Sequence, residues 1–494
     1  MFKVKSISLL ACLIASPFFA SAQSNIDSQE AFLSSLNDHI PLWQEEFAVP
    51  GVAVAIFENG EIIHKETYGY ADVKNKVKVT DKTGFNIGSI SKTVAAWGVM
   101  KLVEEGKISL DDPAENYLTR WHLPESKYDI NGVTIRRLLS HTAGLSLSGY
   151  PGWSPSDTLP SIEESLSGKN NGPSGVELIM EPGTQWKYSG GGYTLLQLIV
   201  EEVTGEKFED YMEREVVDPL GMSSSSYTID HEILKASSHE HDRFGDIYPF
   251  ELFTAKAAAG FHTTLEDFVK FGYANLKASE ADGILEPSTM DLMKQPVPAS
   301  NGIYGLGYFV DSVEVNGSKV ALVGHGGAND GWRALFQFND KTKDGLIVMT
   351  NSGNGGNLWE LIRSNWLGWK YDQEMDYRKS MLSVLLKHVK KEKASQLISR
   401  YKALKSKSDE YTTNENTLNS IGYVLLEMNR TKEAIDIFKL NAEEYPNDWN
   451  LFDSLGEAYM LNGNSRKAIK FYSKSIKLNP HNTHGANMLA KLRN

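Results

Sequence analysis

The chain has 494 residues and a mass of 55.0 kDa, with 41% hydrophobic and 23% charged residues. That length suggests two to four structural units, and the apolar share suffices for buried cores, which excludes global disorder. The formal net charge of −13 argues against a nucleic-acid partner, and the single cysteine, Cys12, excludes disulfide frameworks and cysteine-rich zinc sites.

The first residues point to export. Lys3 and Lys5 form a basic start, Ile7 to Ala20 is mostly apolar, and Ala20-Ser21-Ala22 offers the small side chains that signal peptidase admits. A signal peptide over 1–22 follows, with a periplasmic or secreted mature chain. A lipoprotein reading of Leu9-Leu10-Ala11-Cys12 is the rival, but its apolar lead, Ile7 to Ala11, is too short. No later run of eighteen apolar residues occurs, so no transmembrane segment is expected in the mature chain.

Residues 30–370 read as a mixed α+β domain. Val52 to Phe57, the turn residues Asn59-Gly60, and Ile62-Ile63 predict a hairpin, because Asn-Gly suits a type I′ turn. Thr93 to Glu105 carries Val94, Ala95, Val99, Leu102 and Val103 at helical spacing and stops at Gly106. Thr194 to Val203 is a second amphipathic helix, ended by Gly205. Strand-like runs follow at Tyr308–Val310, Val320–Val323, Ala334–Phe338 and Leu346–Met349. Strands at both ends with helices between them suggest an α+β or mixed sandwich whose sheet joins the two termini.

The stretch 371–380 is charged and aperiodic and reads as a linker. Beyond it, Met381 to Ser406 predicts a helix pair. Gly422, Ala434, Phe438 and Pro446 then recur as Gly456, Ala468, Tyr472 and Pro480, each 34 residues later. That period resembles the tetratricopeptide repeat, with repeats at 415–448 and 449–482, in a helical solenoid over 381–494. Leu418, Ile421, Phe452 and Leu455 would fill the space between paired helices, and His484 to Leu492 would cap the stack. Asn429, Tyr459 and Asn462 are expected in a groove that receives a protein partner or a second copy of the chain.

Three segments of the first domain carry chemistry. In Asn86-Ile-Gly-Ser89-Ile-Ser-Lys92 a serine and a lysine three apart share one helical face, about one turn (~5 Å) apart. A serine hydroxyl needs a base before it attacks, and a partly desolvated lysine can serve. The pattern alone is weak, since Ser399-Arg-Tyr-Lys402 matches it too. Two more segments add weight: the loop Pro182 to Tyr193, presenting Tyr188 before Ser189-Gly190-Gly-Gly, and Val323-Gly-His325-Gly326-Gly327-Ala328 at a strand end.

In this order the motifs resemble the serine β-lactamase and penicillin-binding-protein superfamily, in its class C β-lactamase, D,D-peptidase and esterase-like branch. The resemblance spans roughly 35–365 and includes Gly106 to Pro113, Leu138-Leu-Ser-His141-Thr-Ala-Gly-Leu145, Asp218 to Met222 and Ala259 to Thr264. It implies an antiparallel sheet with flanking helices plus an all-helical domain. It also implies Ser89 as the acylated nucleophile, Lys92 as its proton partner, Tyr188 as a second base, and His325 in place of the lysine of a Lys-Thr-Gly element. The N–H groups of Ser89 and Ala328 would form the oxyanion hole, with Gly326, Gly327 and Gly190 along the substrate. Gly190 stands where the family's Tyr-x-Asn element has asparagine, and His325 carries less assured charge than lysine. Both departures weaken a β-lactamase reading and leave esters, amides and D-amino-acid peptides, including peptidoglycan-derived ones. No cofactor and no metal are implied.

Other features are read as structural. His239-Glu-His241-Asp242 lacks a partner cluster for a metal and reads as a polar loop. His141 is read as structural, and His64 and His122 as single surface or packing histidines. Trp153 and Trp186 flank the expected site. Neither a G-x-S-x-G elbow nor H-E-x-x-H occurs, which excludes α/β-hydrolases and zincins on motif grounds. The alternative to a hydrolase is an inactive peptidoglycan-binding module, or an adaptor acting through its repeats.

Overall fold

The computed structural model describes residues 28–169, 175–229, 231–276, 283–315, 317–372, 378–480 and 482–493. The expected signal peptide, with Cys12, lies outside the described residues, as do positions 373–377 of the expected linker. The chain divides into two compact units, one ending at Met375 and the other beginning at Asp376.

The first unit is built on a seven-stranded antiparallel sheet. In chain order its strands are β1 (Gly51–Glu58), β2 (Glu61–Asp72), β3 (Val77–Lys78), β6 (Phe309–Val315), β7 (Ser318–Asn329), β8 (Trp332–Asn339) and β9 (Asp344–Thr350). Between β3 and β6 the chain forms the separate pair β4 (Gly84–Asn86) and β5 (His262–Thr264). The order across the sheet is β3-β2-β1-β9-β8-β7-β6, so the first strand pairs with the last, as the pattern of strands at both ends predicts. Asn59 and Gly60 both have positive φ, 52° and 82°, the requirement of the mirror-image turn that their sequence favours.

Period-two alternation gives the sheet two buried faces. Val52, Val54 and Ile56 of β1 join Leu346 and Val348 of β9 on one face, under helix α1 (Gln29–Phe47) and the helix Gly355–Tyr371. Phe32, Leu36, Ile40 and Trp43 of α1 and Leu358, Ile362 and Trp366 of the later helix supply that layer. Ala53, Ala55 and Phe57 face the opposite way with Phe336, Ile347 and Met349, into the larger core. There they meet α2 (Ser91–Glu104), Gly190–Thr204 and Leu265–Leu276. Each fully buried aliphatic or aromatic side chain contributes roughly 1.5–3 kcal/mol, so this central sheet is a rigid support for groups at its edge.

The second unit is helical. Glu415–Glu427 and Thr431–Glu444 are followed by Trp449–Leu461 and Ser465–Leu478, so every helix boundary of the first repeat recurs 34 positions later. The pair Met381–Val389 and Ala394–Lys405 precedes them and Thr483–Arg493 follows. Leu418, Ile421, Phe452 and Leu455 are buried between the helices. Tyr459 is not a groove residue: it stacks on Phe471 with ring centroids 5.4 Å apart, while Asn429 and Asn462 occupy the turns between paired helices.

The small residues at the crossings differ in tolerance. A methyl at Gly422 would fall 2.4 Å from the Phe438 ring, whereas one at Gly456 would sit 3.0 Å from the Tyr472 ring. Gly422→Ala should therefore destabilise the helical unit by roughly 1–3 kcal/mol through overpacking. At Gly456→Ala the smaller clash is offset by a helix-propensity gain of about 1 kcal/mol. Urea unfolding followed by circular dichroism, or hydrogen exchange within Glu415–Leu478, distinguishes the two; equal effects would contradict the crossing geometry.

Candidate active site

Ser89 lies in the 3-10 turn Gly88–Ile90 at the junction between β4 and α2. It is the one half-buried position in a run that is otherwise buried from Thr83 to Met100. The turn is tied down on every side. Gly88 N–H donates to Asn86 Oδ1 at 2.7 Å, Ser91 Oγ donates to the Gly88 carbonyl at 2.6 Å, and Thr93 Oγ1 donates to the Gly307 carbonyl at 2.7 Å. Asn329 Nδ2, at the end of β7, also donates to Asn86 Oδ1 at 2.7 Å. One asparagine thus joins the serine turn to the strand beside it.

Lys92 occupies the first turn of α2 and is only 2% exposed. Its Nζ stands 3.2 Å from Ser89 Oγ and 2.6 Å from the Ala258 carbonyl oxygen. The rings of Tyr188 and Tyr193 wall it in, with centroids at 4.9 and 5.8 Å. Among the described residues no carboxylate forms an ion pair with it. Burial without a counter-charge penalises the ammonium and lowers the Lys92 pKa to about 7. About half of the amine is therefore neutral at pH 7, with a lone pair available to the serine hydroxyl.

Tyr188 is buried, and among the described residues its hydroxyl completes no hydrogen bond of good geometry. Burial drives its pKa up, and the nearby Ser89 hydroxyl offsets part of that rise. The group is therefore held as a neutral phenol and not as a standing phenolate.

His325 sits on β7 and is also 2% exposed. Its Nδ1–H donates to the Gly326 carbonyl at 2.6 Å, and its Nε2 accepts from the Tyr304 hydroxyl at 3.1 Å. Burial, reinforced by the nearby Lys92, lowers its pKa to about 3. Neutral and with both nitrogens engaged, it offers a substrate carboxylate neither charge nor a free N–H. The position matches the expected motif; the electrostatics are not those of a lysine.

An open strand edge near the serine turn follows from sheet pairing. β6 pairs with β7 only from Ser318 to Gly324, so His325 to Asn329 have β8 on one side and no strand on the other. Gly88 and Gly327 let this edge approach the serine turn: a methyl on Gly88 would lie 2.5 Å from Ala328 N, and one on Gly327 would lie 1.8 Å from the Ile87 carbonyl oxygen. The backbone of Ala328, itself exposed, is thereby set beside Ser89. Gly190 opens the helix Gly190–Thr204, and its N–H donates to the Ser148 carbonyl at 3.2 Å. A Cβ there would stand 3.0 Å from that oxygen, so the loop around Ser148 occupies the room a side chain would need.

Sequence motifs did not disclose two contributors. The Ala258 carbonyl is a backbone atom and has no side-chain signature. Tyr304 lies 21 residues before the histidine it binds, its only trace being the glycines at 302, 305 and 307. His141, read as structural, packs within the tyrosine cluster, its ring centroid 4.2 Å from that of Tyr188. The other singled-out residues lie elsewhere or serve packing. Trp186 borders His141 and Tyr188 at 6.2 Å, whereas Trp153 pairs its backbone with Leu252. His64 meets the Tyr68 hydroxyl, His122 meets Glu115, and His239 approaches Asp72. Among the described residues no group of three or more His, Cys, Asp or Glu is arranged to hold a metal ion.

The sequence profile described as Beta-lactamase matches residues 40–363, more than half of the chain, and a tetratricopeptide-repeat profile matches 449–482. The chain belongs to the β-lactamase family and carries a tetratricopeptide repeat near its C-terminus. It is 28% identical over 331 residues to the putative penicillin-binding protein PbpX of Bacillus subtilis (strain 168), covering 66% of this chain and 76% of that protein. It is 27% identical over 321 residues to Protein flp of Staphylococcus aureus (strain MRSA252), covering 61% of this chain and 60% of that one. Among solved structures, the octameric penicillin-binding protein homologue from Pyrococcus abyssi superposes with a TM-score of 0.59 at 26% identity, over 73% of this chain and 82% of that one. SurE shares the fold, with a TM-score of 0.56 at 22% identity over 71% and 79% of the two chains.

The two glycines after His325 are not equivalent. Gly327→Ala forces Ile87 and β7 apart and should cost roughly 1–3 kcal/mol. A methyl at Gly326 meets nothing closer than 4.0 Å, so Gly326→Ala should change stability by less than about 0.5 kcal/mol. Thermal midpoints of the two variants check this; a Gly327→Ala protein as stable as the parent would refute the close approach.

Proposed function

We propose that the chain is an exported serine hydrolase that works through a covalent acyl-enzyme on an ester, amide or D-amino-acid peptide substrate. The observation that carries this reading is the Lys92 amine, buried without a counter-charge 3.2 Å from Ser89 Oγ. Lys3, Lys5, the apolar run Ile7 to Ala20 and the small residues Ala20-Ser21-Ala22 support export.

In this mechanism neutral Lys92 takes the Ser89 proton as Oγ attacks the substrate carbonyl carbon. The developing oxyanion is received by the backbone N–H groups of Ser89 and Ala328. The tetrahedral centre collapses, and the leaving group departs with a proton relayed through the Tyr188 phenol. Water then attacks the acyl-serine, giving up its proton to the same amine; on collapse the bond to Ser89 Oγ breaks, the amine returns that proton to Oγ, and the acid is released. Lys92 and Tyr188 thereby work as one unit with the nucleophile. A binding module has no use for a nucleophile beside a neutral amine, which favours catalysis over an inactive peptidoglycan binder.

The surroundings favour substrates that need no anchored carboxylate. His325 is neutral and saturated, and Gly190 supplies no amide side chain. A missing charge-assisted hydrogen bond is worth roughly 1.5–3 kcal/mol, or about 10- to 100-fold in discrimination. Hydrolysis of p-nitrophenyl esters should therefore exceed that of nitrocefin in kcat/KM by at least that factor, and Ser89→Ala should abolish both. Efficient nitrocefin turnover with negligible ester cleavage would overturn the substrate reading, and undiminished turnover by Ser89→Ala would overturn the hydrolase reading itself.

A further inference from the structure

The two peptide N–H groups that flank Tyr188 end on a single residue. Lys187 N–H donates to the His141 carbonyl oxygen at 2.8 Å, and Ser189 N–H donates to His141 Nδ1 at 3.1 Å. Ser189 is also the N-cap of the helix Gly190–Thr204, its Oγ accepting from Gly192 N–H, so this second contact lies where the loop becomes a rigid element. His141 is 2% exposed and holds a left-handed backbone, φ 58°, which few residues other than glycine, asparagine, aspartate and histidine accept. Its ring lies against those of Tyr188, Tyr304 and Tyr193, with centroids at 4.2, 4.8 and 5.2 Å.

The acceptor role fixes the tautomer. A nitrogen that takes a hydrogen bond from an amide carries no proton, so the Nδ1 lone pair faces Ser189 and the ring proton resides on Nε2. Nε2 is buried without a hydrogen-bond partner among the described residues. Protonating the ring would place a second N–H against the Ser189 N–H and sever that bond. Burial, Lys92 and His325 all disfavour that form.

We propose that His141 is a positioning residue for Tyr188, its carbonyl oxygen and Nδ1 lone pair clamping the backbone on either side of the tyrosine and setting the phenol beside Ser89 and Lys92. This rests on the reading of Ser89 as nucleophile and Tyr188 as its proton relay. His141 acts through Tyr188 and does not touch the reacting atoms. The two hydrogen bonds divide the work: the carbonyl contact survives any substitution that preserves the backbone, whereas the Nδ1 contact depends on an acceptor one bond beyond Cγ.

That difference supplies the test. Asparagine at 141 accepts the left-handed backbone and places its side-chain oxygen where Nδ1 stands, whereas glutamine places its oxygen one bond farther out. His141→Asn should keep kcat on a p-nitrophenyl ester within about threefold, and His141→Gln should lower kcat roughly 100-fold with KM nearly unchanged, because a misplacement of about 1 Å at a reacting group costs on that order. In a Tyr188→Phe background, His141→Gln should cost nothing further. A glutamine variant with the parent's kcat, an asparagine variant no better than glutamine, or an undiminished glutamine effect in the Tyr188→Phe background would overturn the clamp. Labelling Ser89 with a fluorescent phosphonate separates the two levels: an unlabelled parent chain sinks the hydrolase reading and the clamp together, whereas a labelled parent with any of those three results sinks the clamp alone.

Discussion

The site depends on removing one lysine amine from water without giving it a carboxylate. In bulk water Lys92 would hold its proton far above neutrality and be useless as a base. Here the Ala258 carbonyl, two tyrosine rings and the Ser89 hydroxyl replace its solvent shell, and none of them carries a negative charge. The cost of burying an ammonium is met instead by losing the proton. The buried sheet, α2 packed on nearly all sides and the glycine-permitted contact between β7 and the serine turn sustain that environment. A single nearby aspartate would restore the charge and remove the base.

The same burial sets the states of the neighbouring groups, each in the direction dictated by its neutral form. Tyr188 is kept as a phenol and His325 as a neutral imidazole, so in the proposed mechanism both act through proton relay or hydrogen bonding. A lysine in place of His325 would add a cation close to Lys92. The histidine instead is saturated by Gly326 and Tyr304. The site is thus low in charge, which in the proposed hydrolase leaves Ser89 as the nucleophile with little electrostatic grip on an anionic substrate.

Much of this was legible where the determining interaction is local. The three-residue spacing of Ser89 and Lys92 puts both on one helical face, and the Asn59-Gly60 turn and the 34-residue repeat are likewise short-range patterns. Tyr188 and His325 were legible only through family resemblance, since nothing in their local sequence brings them to Ser89. The extent of β7 escaped the pattern because Gly-His-Gly-Gly-Ala-Asn has poor strand propensity and is held extended by β8. The helix at Gly190 starts four residues before the expected Thr194, since the Ser189 cap and the contacts of loop 146–148 outweigh the helix aversion of three glycines. The protonation state of Lys92 was beyond sequence altogether, because it follows from what surrounds the amine in three dimensions. The hydrogen bonds that His141 receives from Lys187 and Ser189 were out of reach for the same reason, since those partners lie more than forty positions along the chain.

In the proposed hydrolase Lys92 works as the neutral base, and the second-order rate of Ser89 acylation by a neutral, non-titrating phosphonate, followed from pH 5 to 11, tests this. Protonation removes the lone pair, so the rate should be low at acid pH and rise to a plateau through an apparent pKa of about 7. Lys92→Ala should lose both the rate and the inflection. A flat profile, or a rise centred above pH 9 as for an ordinary lysine, would contradict the account.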